Sequence, residues 1–576
     1  MKKITYIIVI MLSITACDND FLDRTPLDQI SSSDVYEDQA LAQAYINNTM
    51  GRLPYGIHGY PYINEGSNEW NRRDANPGYG QYPCMIASIT DEARAKSGWV
   101  ENNSIVIKGA ITPSNSAGYG IWSVAYRTIR QANEIIDGME TSTLGEDFKV
   151  NTISQARYIR AFTYFDLARR YGDVPLITKA QSIDDELLVS QTARADVYDF
   201  VISELNDMSS SLPNRSDAGA SKVNKQAAIA LSARTALYAE KWEEAATLAD
   251  KLITGEHNDG LALHGNYRDL FLSEGDNIET IFEKQTLAPL DGQSFALFNW
   301  PVRWRNDWGG QTNPTQELVD DYEMINGLPI TDAASGYDPS NPYANRDPRF
   351  YASIFYHGSE FSEIEPKSGE PFIDMEWNNG NEGPGDPGKF HGSASITGYL
   401  IKKFANPAEG FGPQEGRSIS SWQELRYAEV LLIYAEAANE ANGPGPKVYN
   451  ALNKIRLRAG MPDISSGLSK EQMRERIRFE RKIELVFENH RFWDLRRWGT
   501  AVDVLDGYVP HGMKVERTSD APSKADQPQL FDPQFLKYTV FEVNGRSQTF
   551  PASHNKFPIP QGEIDKNPKL KQNTGY

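Results

Sequence analysis

The sequence predicts a mainly α-helical protein: a helical scaffold drawn from both ends of the chain, with a loop-rich, irregular region between them. Three observations carry this. Apolar residues recur at helical spacing over long stretches near both ends. Caps and stop signals stand where those stretches should begin and finish. Between residues 254 and 420 the periodicity fades, and Gly, Pro, Asn and Asp become dense. Strand signals are few and short.

Ahead of the first predicted helix stand Met1-Lys2-Lys3, an apolar run from Ile4 to Ile14, and then Thr15-Ala16-Cys17. A positive start, an apolar stretch and a small residue before a cleavage point is the order of a secretory signal. The run has about half of the ~20 residues a helix needs to cross a bilayer, so residues 1–16 are expected to be removed rather than to span. A cysteine directly after the small residue resembles a bacterial lipobox, which implies lipidation of Cys17. The acidic residues that follow, Asp18, Asp20 and Asp23, resemble the export signal of surface lipoproteins. Cys84 is the one other cysteine, so no disulfide framework is available and Cys84 is expected to be a small buried hydrophobe.

The helices follow in order. Residues 33–50 carry Ala, Leu and Tyr at helical spacing behind Ser33 or Asp34 as cap. Residues 119–140 continue in that style, as do 151–171, which should stop at Gly172 with Pro175 just beyond. Residues 222–253 read as a helical pair whose small residues, Ala233, Ala236, Ala245, Ala246 and Ala249, resemble a tetratricopeptide unit. A second pair covers 421–459, starting from Trp422. A last helical stretch runs from 470 to 498. Stretches such as 378–385 must be loops, and Tyr538-Thr539-Val540-Phe541 is a strand-like run in the otherwise irregular 500–560. The mature chain, 17–576, is expected to be one compact unit made of an N-terminal helical part (17–253), a loop-rich insertion (254–420) and a C-terminal part (421–576).

The net charge of −20 argues against nucleic acid, whose phosphates demand clustered Lys and Arg. It also offers no polybasic route to an anionic membrane, leaving anchorage to the lipid. Eleven Trp and 28 Tyr suit a neutral ligand with flat apolar faces.

More than half of the residues from 470 to 497 are charged, and they pair at helical offsets, Arg476 with Glu480 and Arg481 with Glu484. Interleaved opposite charges of this kind form mutually satisfied networks rather than catalytic clusters. Partly buried, such a network would fix how neighbouring helices dock. Within it, Arg478-Phe479-Glu480-Arg481-Lys482-Ile483-Glu484-Leu485, with Phe487-Glu488, Arg491 and Asp494-Leu495-Arg496-Arg497-Trp498, resembles the signature of the SusD/RagB family. Arg160-Ala161, Tyr164-Phe165 and the run Tyr171 to Leu176 resemble the family's N-terminal motif. Asn133 after Arg130, Ala435-Glu436-Ala437, Arg456 with Arg458-Ala459-Gly460, and the closing Phe557-Pro558-Ile559-Pro560, Glu563-Ile564, Asn567-Pro568 and Gln572-Asn573 agree as well. The resemblance implies a SusD-like fold on a tetratricopeptide-like scaffold. It implies a lipid-anchored protein of the outer membrane that faces the exterior, captures oligosaccharides and partners a SusC-like TonB-dependent transporter. It implies binding without catalysis and no cofactor.

Sugar recognition needs aromatic surface for the C–H faces of rings and fixed polar groups for hydroxyls. Trp122, Trp242, Trp422, Trp493 and Trp498 lie in predicted helices and are assigned to the core. Trp70, Trp99, Trp300, Trp304, Trp308 and Trp377 lie in loop-like sequence, where function concentrates. Trp99 with Asn102 three residues on resembles the N-terminal sugar-binding loops of the family, and Asp91 and Glu92 precede them. A second cluster gathers Trp300, Arg303, Trp304, Arg305, Asn306, Asp307 and Trp308; Trp70 with Asn71 and Arg72 is a third patch. Three other readings stay open: capture of a peptide or other nutrient for the same type of transporter, a surface glycoside hydrolase, and a lid that binds little itself. Acidic residues are too many for a carboxylate pair to be informative, and no G-x-S-x-G or H-E-x-x-H motif is present. Bound Ca²⁺ stays open in the acidic loops, although there is no Asp-x-Asp-x-Asp-Gly run.

Overall fold

The helical periodicity is realised as a series of packed helical hairpins. The structure is a computed structural model, and it describes residues 32–53, 56, 85–96, 105–116, 120–272, 277–285, 295–301, 309–360, 372–377, 395–407, 420–521, 531–543, 545 and 547–576. The predicted signal segment, Cys17 and Cys84 lie outside these residues.

The expected helix over 33–50 is two helices, α1 (Ser32–Glu37) and α2 (Gln39–Met50). Asp38 stands extended between them, and its carboxylate accepts from the N–H groups of Ala40 and Leu41 at 2.8 and 3.0 Å. A satisfied N-cap outcompetes continuation of the first helix. Then come α3 (Trp122–Thr141) and α4 (Glu146–Tyr171). Gly172, at φ +80, ends α4 as predicted; a side chain there would also be strained by its backbone and meet Lys556. α5 (Arg194–Ser209) is a scaffold helix that the residue pattern did not single out. α6 (Lys225–Tyr238) is capped by Asn224, and α7 (Trp242–Ile253) completes its pair.

The C-terminal helices are α8 (Tyr427–Asn442), α9 (Pro446–Arg458), α10 (Lys470–Glu484) and α11 (His490–Arg497). α10 opens with a reciprocal cap between Ser469 and Gln472. Each scaffold helix from α3 to α8 packs on the next, and α8 carries α9 and α10. Since α7 packs against α8, the two ends of the chain form one array, with the middle of the sequence attached to it. Fully buried alanines on α6, Ala227 to Ala236, let its neighbours approach closely. Among the described residues one large cluster of buried apolar residues runs from Ala42 to Leu570, and a small second one gathers Leu495, Ala501, Leu505 and Phe550.

Trp422 does not start a helix. It begins β4 (Trp422–Arg426), which pairs antiparallel with β2 (Thr280–Lys284); β1 (Ala93–Ala95) and β3 (Thr312–Pro314) form another two-stranded ribbon. The strand-like run near 540 is part of β6 (Leu536–Glu542), paired antiparallel with β5 (His511–Arg517). Trp122 and Trp493 are core rings, whereas Trp242 and Trp498 are partly buried.

The charged segment is the buried brace of the molecule. Arg476 meets Glu480 at 3.3 Å, as the spacing predicts. Arg481 instead pairs with Asp494 at 3.0 Å, because α11 brings that carboxylate closer than Glu484 one turn away. Glu484 serves Arg426 at 2.7 Å, Arg349 at 3.2 Å, and Arg458; Glu480 serves Arg349 at 2.6 Å and Arg456 at 3.1 Å. Arg426 reaches on to Glu279 and Glu488, each at 2.7 Å. Burial raises the Glu484 carboxyl, but Arg458, Arg426 and Arg349 outweigh it and hold the group below the ordinary carboxylate range.

Candidate functional site

The β1–β3 ribbon joins stretches more than 200 residues apart, with Ala93 opposite Pro314 and Ala95 opposite Thr312. It continues through the Lys96 N–H, which donates to Gln311 O at 2.8 Å, while Lys96 Nζ donates to Gly309 O at 3.4 Å. Met85 N–H donates to the Thr312 hydroxyl at 3.1 Å. The described residues that flank the three tryptophan patches, Met85, Lys96 and Gly309, therefore meet at one ribbon. The stretch with Trp70 and Arg72 enters it at Met85. The stretch with Trp99 and Asn102 leaves it at Lys96. The stretch with Trp304, Arg305 and Trp308 returns to it at Gly309. These seven side chains lie outside the described residues.

The base of the third stretch is closed by its own backbone. Gly310 N–H donates to Trp300 O at 2.9 Å and Gln311 N–H to Phe298 O at 2.8 Å. Asn299 accepts from Thr312 N–H at 3.2 Å, and Asn313 donates to Gly310 O at 2.9 Å. Gly310 has φ +65, which the close return of the chain requires. Trp300, expected as a stacking ring, is 0% exposed and belongs to the core. It seats the loop and offers no face to a ligand.

Asp91 is likewise corrected from ligand contact to brace. It is 6% exposed; Lys482 Nζ lies 2.8 Å from its Oδ2, and Arg491 donates to both its oxygens at 2.9 and 2.8 Å. Burial raises its carboxyl, and Lys482 and Arg491 more than reverse this, holding it ionised well below the ordinary range. Lys482 also pairs with Asp321. Glu92, 1% exposed, has the opposite fate. Burial first, and the Asp91 charge second, push its carboxyl up to about 8. One of its oxygens has no hydrogen-bond partner among the described residues. Against this pair lies the turn between α10 and α11, where Phe487 and Asn489 hold φ of +60 and +67. Positive φ at a bulky residue such as Phe487 is strained and persists where packing enforces it.

Lys482 and Arg491 were readable only as members of the charged segment; nothing local pairs them with an aspartate near position 91. Both also line a cleft of about 590 Å³, with Gln472, Phe479 and Trp498. The Trp498 ring already has Arg478 and Arg497 over it at 4.8 and 4.9 Å, and Phe479 has Arg476 at 4.7 Å. These rings are thus engaged by the protein's own guanidinium groups. Among the described residues no group of three or more His, Cys, Asp or Glu side chains is arranged to hold a metal ion.

Comparison with known proteins agrees with this architecture. A second profile, described as starch-binding associating with outer membrane, matches residues 77–237. SusD-like protein P2 of Formosa agariphila is 26% identical over 537 residues, covering 90% of this chain and 94% of that one. A SusD-like carbohydrate binding protein from Bacteroides fragilis has the same fold, with TM-score 0.74, 24% identity, and coverage of 93% and 99%. A laminarin binding SusD-like protein also superposes, with TM-score 0.64, 20% identity, and coverage of 94% and 100%. The SusD family profile matches residues 274–576, more than half of the sequence and including the whole charged segment from 470 to 498, and the chain belongs to that family.

Proposed function

We propose that this protein is a cell-surface glycan-binding lipoprotein, anchored through Cys17, that captures oligosaccharides and delivers them to a SusC-like TonB-dependent outer-membrane transporter. The observation that carries the reading is the common ribbon. Three stretches that carry Trp with Arg or Asn, the third roughly 200 residues from the other two, start or end beside β1–β3. Trp99 is three residues from Lys96, about 11 Å of extended chain, and Trp308 directly precedes Gly309. Rings so tethered are within reach of one another and of one ligand. The similar carbohydrate binding and laminarin binding SusD-like proteins support the same reading. Binding without turnover fits a brace whose carboxylates Asp91, Glu480 and Glu484 are committed to internal cations.

Native affinity electrophoresis of soluble protein beginning after Cys17, against a panel of neutral polysaccharides, tests this. Retardation by one glycan without its degradation is the expected result. Degradation of the glycan would make the protein an enzyme, and retardation by none would favour peptide capture or a lid.

A further inference from the structure

Residues 177–190 leave the short antiparallel ribbon of Val174–Pro175 with Gln191–Thr192 and cross the α3–α4 hairpin. The loop is held at nearly every step. Tyr164 donates to Ile177 O at 3.0 Å, Arg160 to Thr178 O at 2.8 Å, and Arg130 to Gln181 O at 3.2 Å. Ala180 N–H donates to Asp137 at 3.2 Å. Within the loop, Ser182 N–H donates to Asp185 at 2.8 Å, Leu188 N–H to Glu186 at 3.0 Å, and the Gln181 amide to Glu186 O at 2.9 Å. From the C-terminal segment, Asn567 donates to Val189 O at 2.9 Å.

With its polar atoms so engaged, the loop turns aliphatic side chains outward. Ile183 is 92% exposed, Leu187 54% and Leu188 40%. Single exposed hydrophobics are ordinary, but three large ones within six residues of an ordered loop mark an interaction surface. The charges beside them say what covers it. Asp184, Asp185 and Glu186 sit among the aliphatics. Lys179 meets Asp185 at 3.0 Å and Lys569 meets Glu186 at 3.3 Å, while Asp184 has no ion pair among the described residues. With Asp185 and Glu186 balanced by lysines, the charge of Asp184 is what remains, and it disfavours an anionic lipid surface. A protein socket that is apolar at its centre and lined with Lys or Arg at its rim matches both the aliphatics and the acids.

We infer that the 182–188 loop is a docking knob for a folded protein partner with an apolar, cation-rimmed socket. The inference rests on the transporter reading above, which supplies the partner. A loop already ordered loses little freedom on docking, and a few central aliphatics are enough to dominate an interface.

The test uses the full lipidated chain, affinity-tagged and purified from outer membranes of cells that also make the transporter. The recovered transporter is identified by mass and quantified against the bait, and glycan retardation is measured on the same preparations. In the double variant Ile183→Ser/Leu187→Ser, recovery of transporter falls at least about tenfold while retardation is unchanged. Undiminished recovery would overturn the docking assignment and leave the transporter reading standing. Failure of the unmodified chain to recover any transporter would overturn both. Flotation of the soluble protein with phosphatidylethanolamine–phosphatidylglycerol vesicles, lost in the same variant, would replace the protein partner by a membrane and so overturn the inference.

Discussion

Asp91 and Glu92 are adjacent carboxyls with opposite charge states. Asp91 faces Lys482 and Arg491 and stays ionised, while Glu92 lies beside it, buried and 1% exposed, with one oxygen unpartnered among the described residues. In the unfolded chain Glu92 ionises near its ordinary 4.5, and in the folded protein near 8. Across that window the folded state holds a proton that the unfolded state has released, so the stability contributed by a neutral Glu92 is full below the lower value and is lost as pH rises through the upper one. Glu92→Gln keeps the neutral shape, so its thermal midpoint relative to the unmodified protein should rise between about pH 5 and 8; a difference that stays flat, from melts at stepped pH, contradicts the assignment. Neither state was legible locally, because Lys482 and Arg491 lie some 400 residues along the chain. Trp300 was misjudged for a related reason. Its loop-like sequence context carries no signal of burial, and only the backbone bonds from Gly310 and Gln311 back to Trp300 and Phe298 show that the ring is held in the core.

At the scale of elements, long periodic helices were legible because their signal is local and repeats every turn. α3, α4 and the α6–α7 pair fall close to where spacing and Gly172 put them. What periodicity could not supply were competitions decided elsewhere. Asp38 splits the first helix by capping the second half. Trp422 joins a strand because β2, some 140 residues earlier, offers it a ladder. Arg481 leaves Glu484 for Asp494. The brace that results has a sharp signature. Glu484→Gln leaves Arg349, Arg426 and Arg458 short of their common counter-charge in a dry interior, and should cost about 3–5 kcal/mol, read as a lower denaturant midpoint with an unchanged slope. A change below 1 kcal/mol would mean that the network is not the brace described. In the unmodified protein Glu484, Glu480 and Asp494 all have lowered carboxyls, so the stability they contribute is present above the ordinary carboxylate range and is lost as pH falls below it.

For the whole molecule, the scaffold and the site differ in how each is encoded. The scaffold motifs are local and name the family, whereas the described residues flanking the candidate stretches, Met85, Lys96 and Gly309, come together only where β1 pairs with β3 across the fold. Residue type pointed to Trp70, Trp99, Trp304 and Trp308, but no local pattern says that their stretches share a ribbon. If the stretches share that anchorage, Trp99 and Trp304 are energetically coupled through one ligand. Once a retarding glycan is in hand, calorimetric titration of the unmodified protein, Trp99→Ala, Trp304→Ala and the double variant gives the interaction between the two rings. Each single change should weaken binding by about tenfold or more. The double change should fall short of their sum by about 0.5–3 kcal/mol, as expected of rings that grip one ligand. Unaltered affinity in both single variants, or strict additivity in the double, would contradict a single glycan face built on the ribbon.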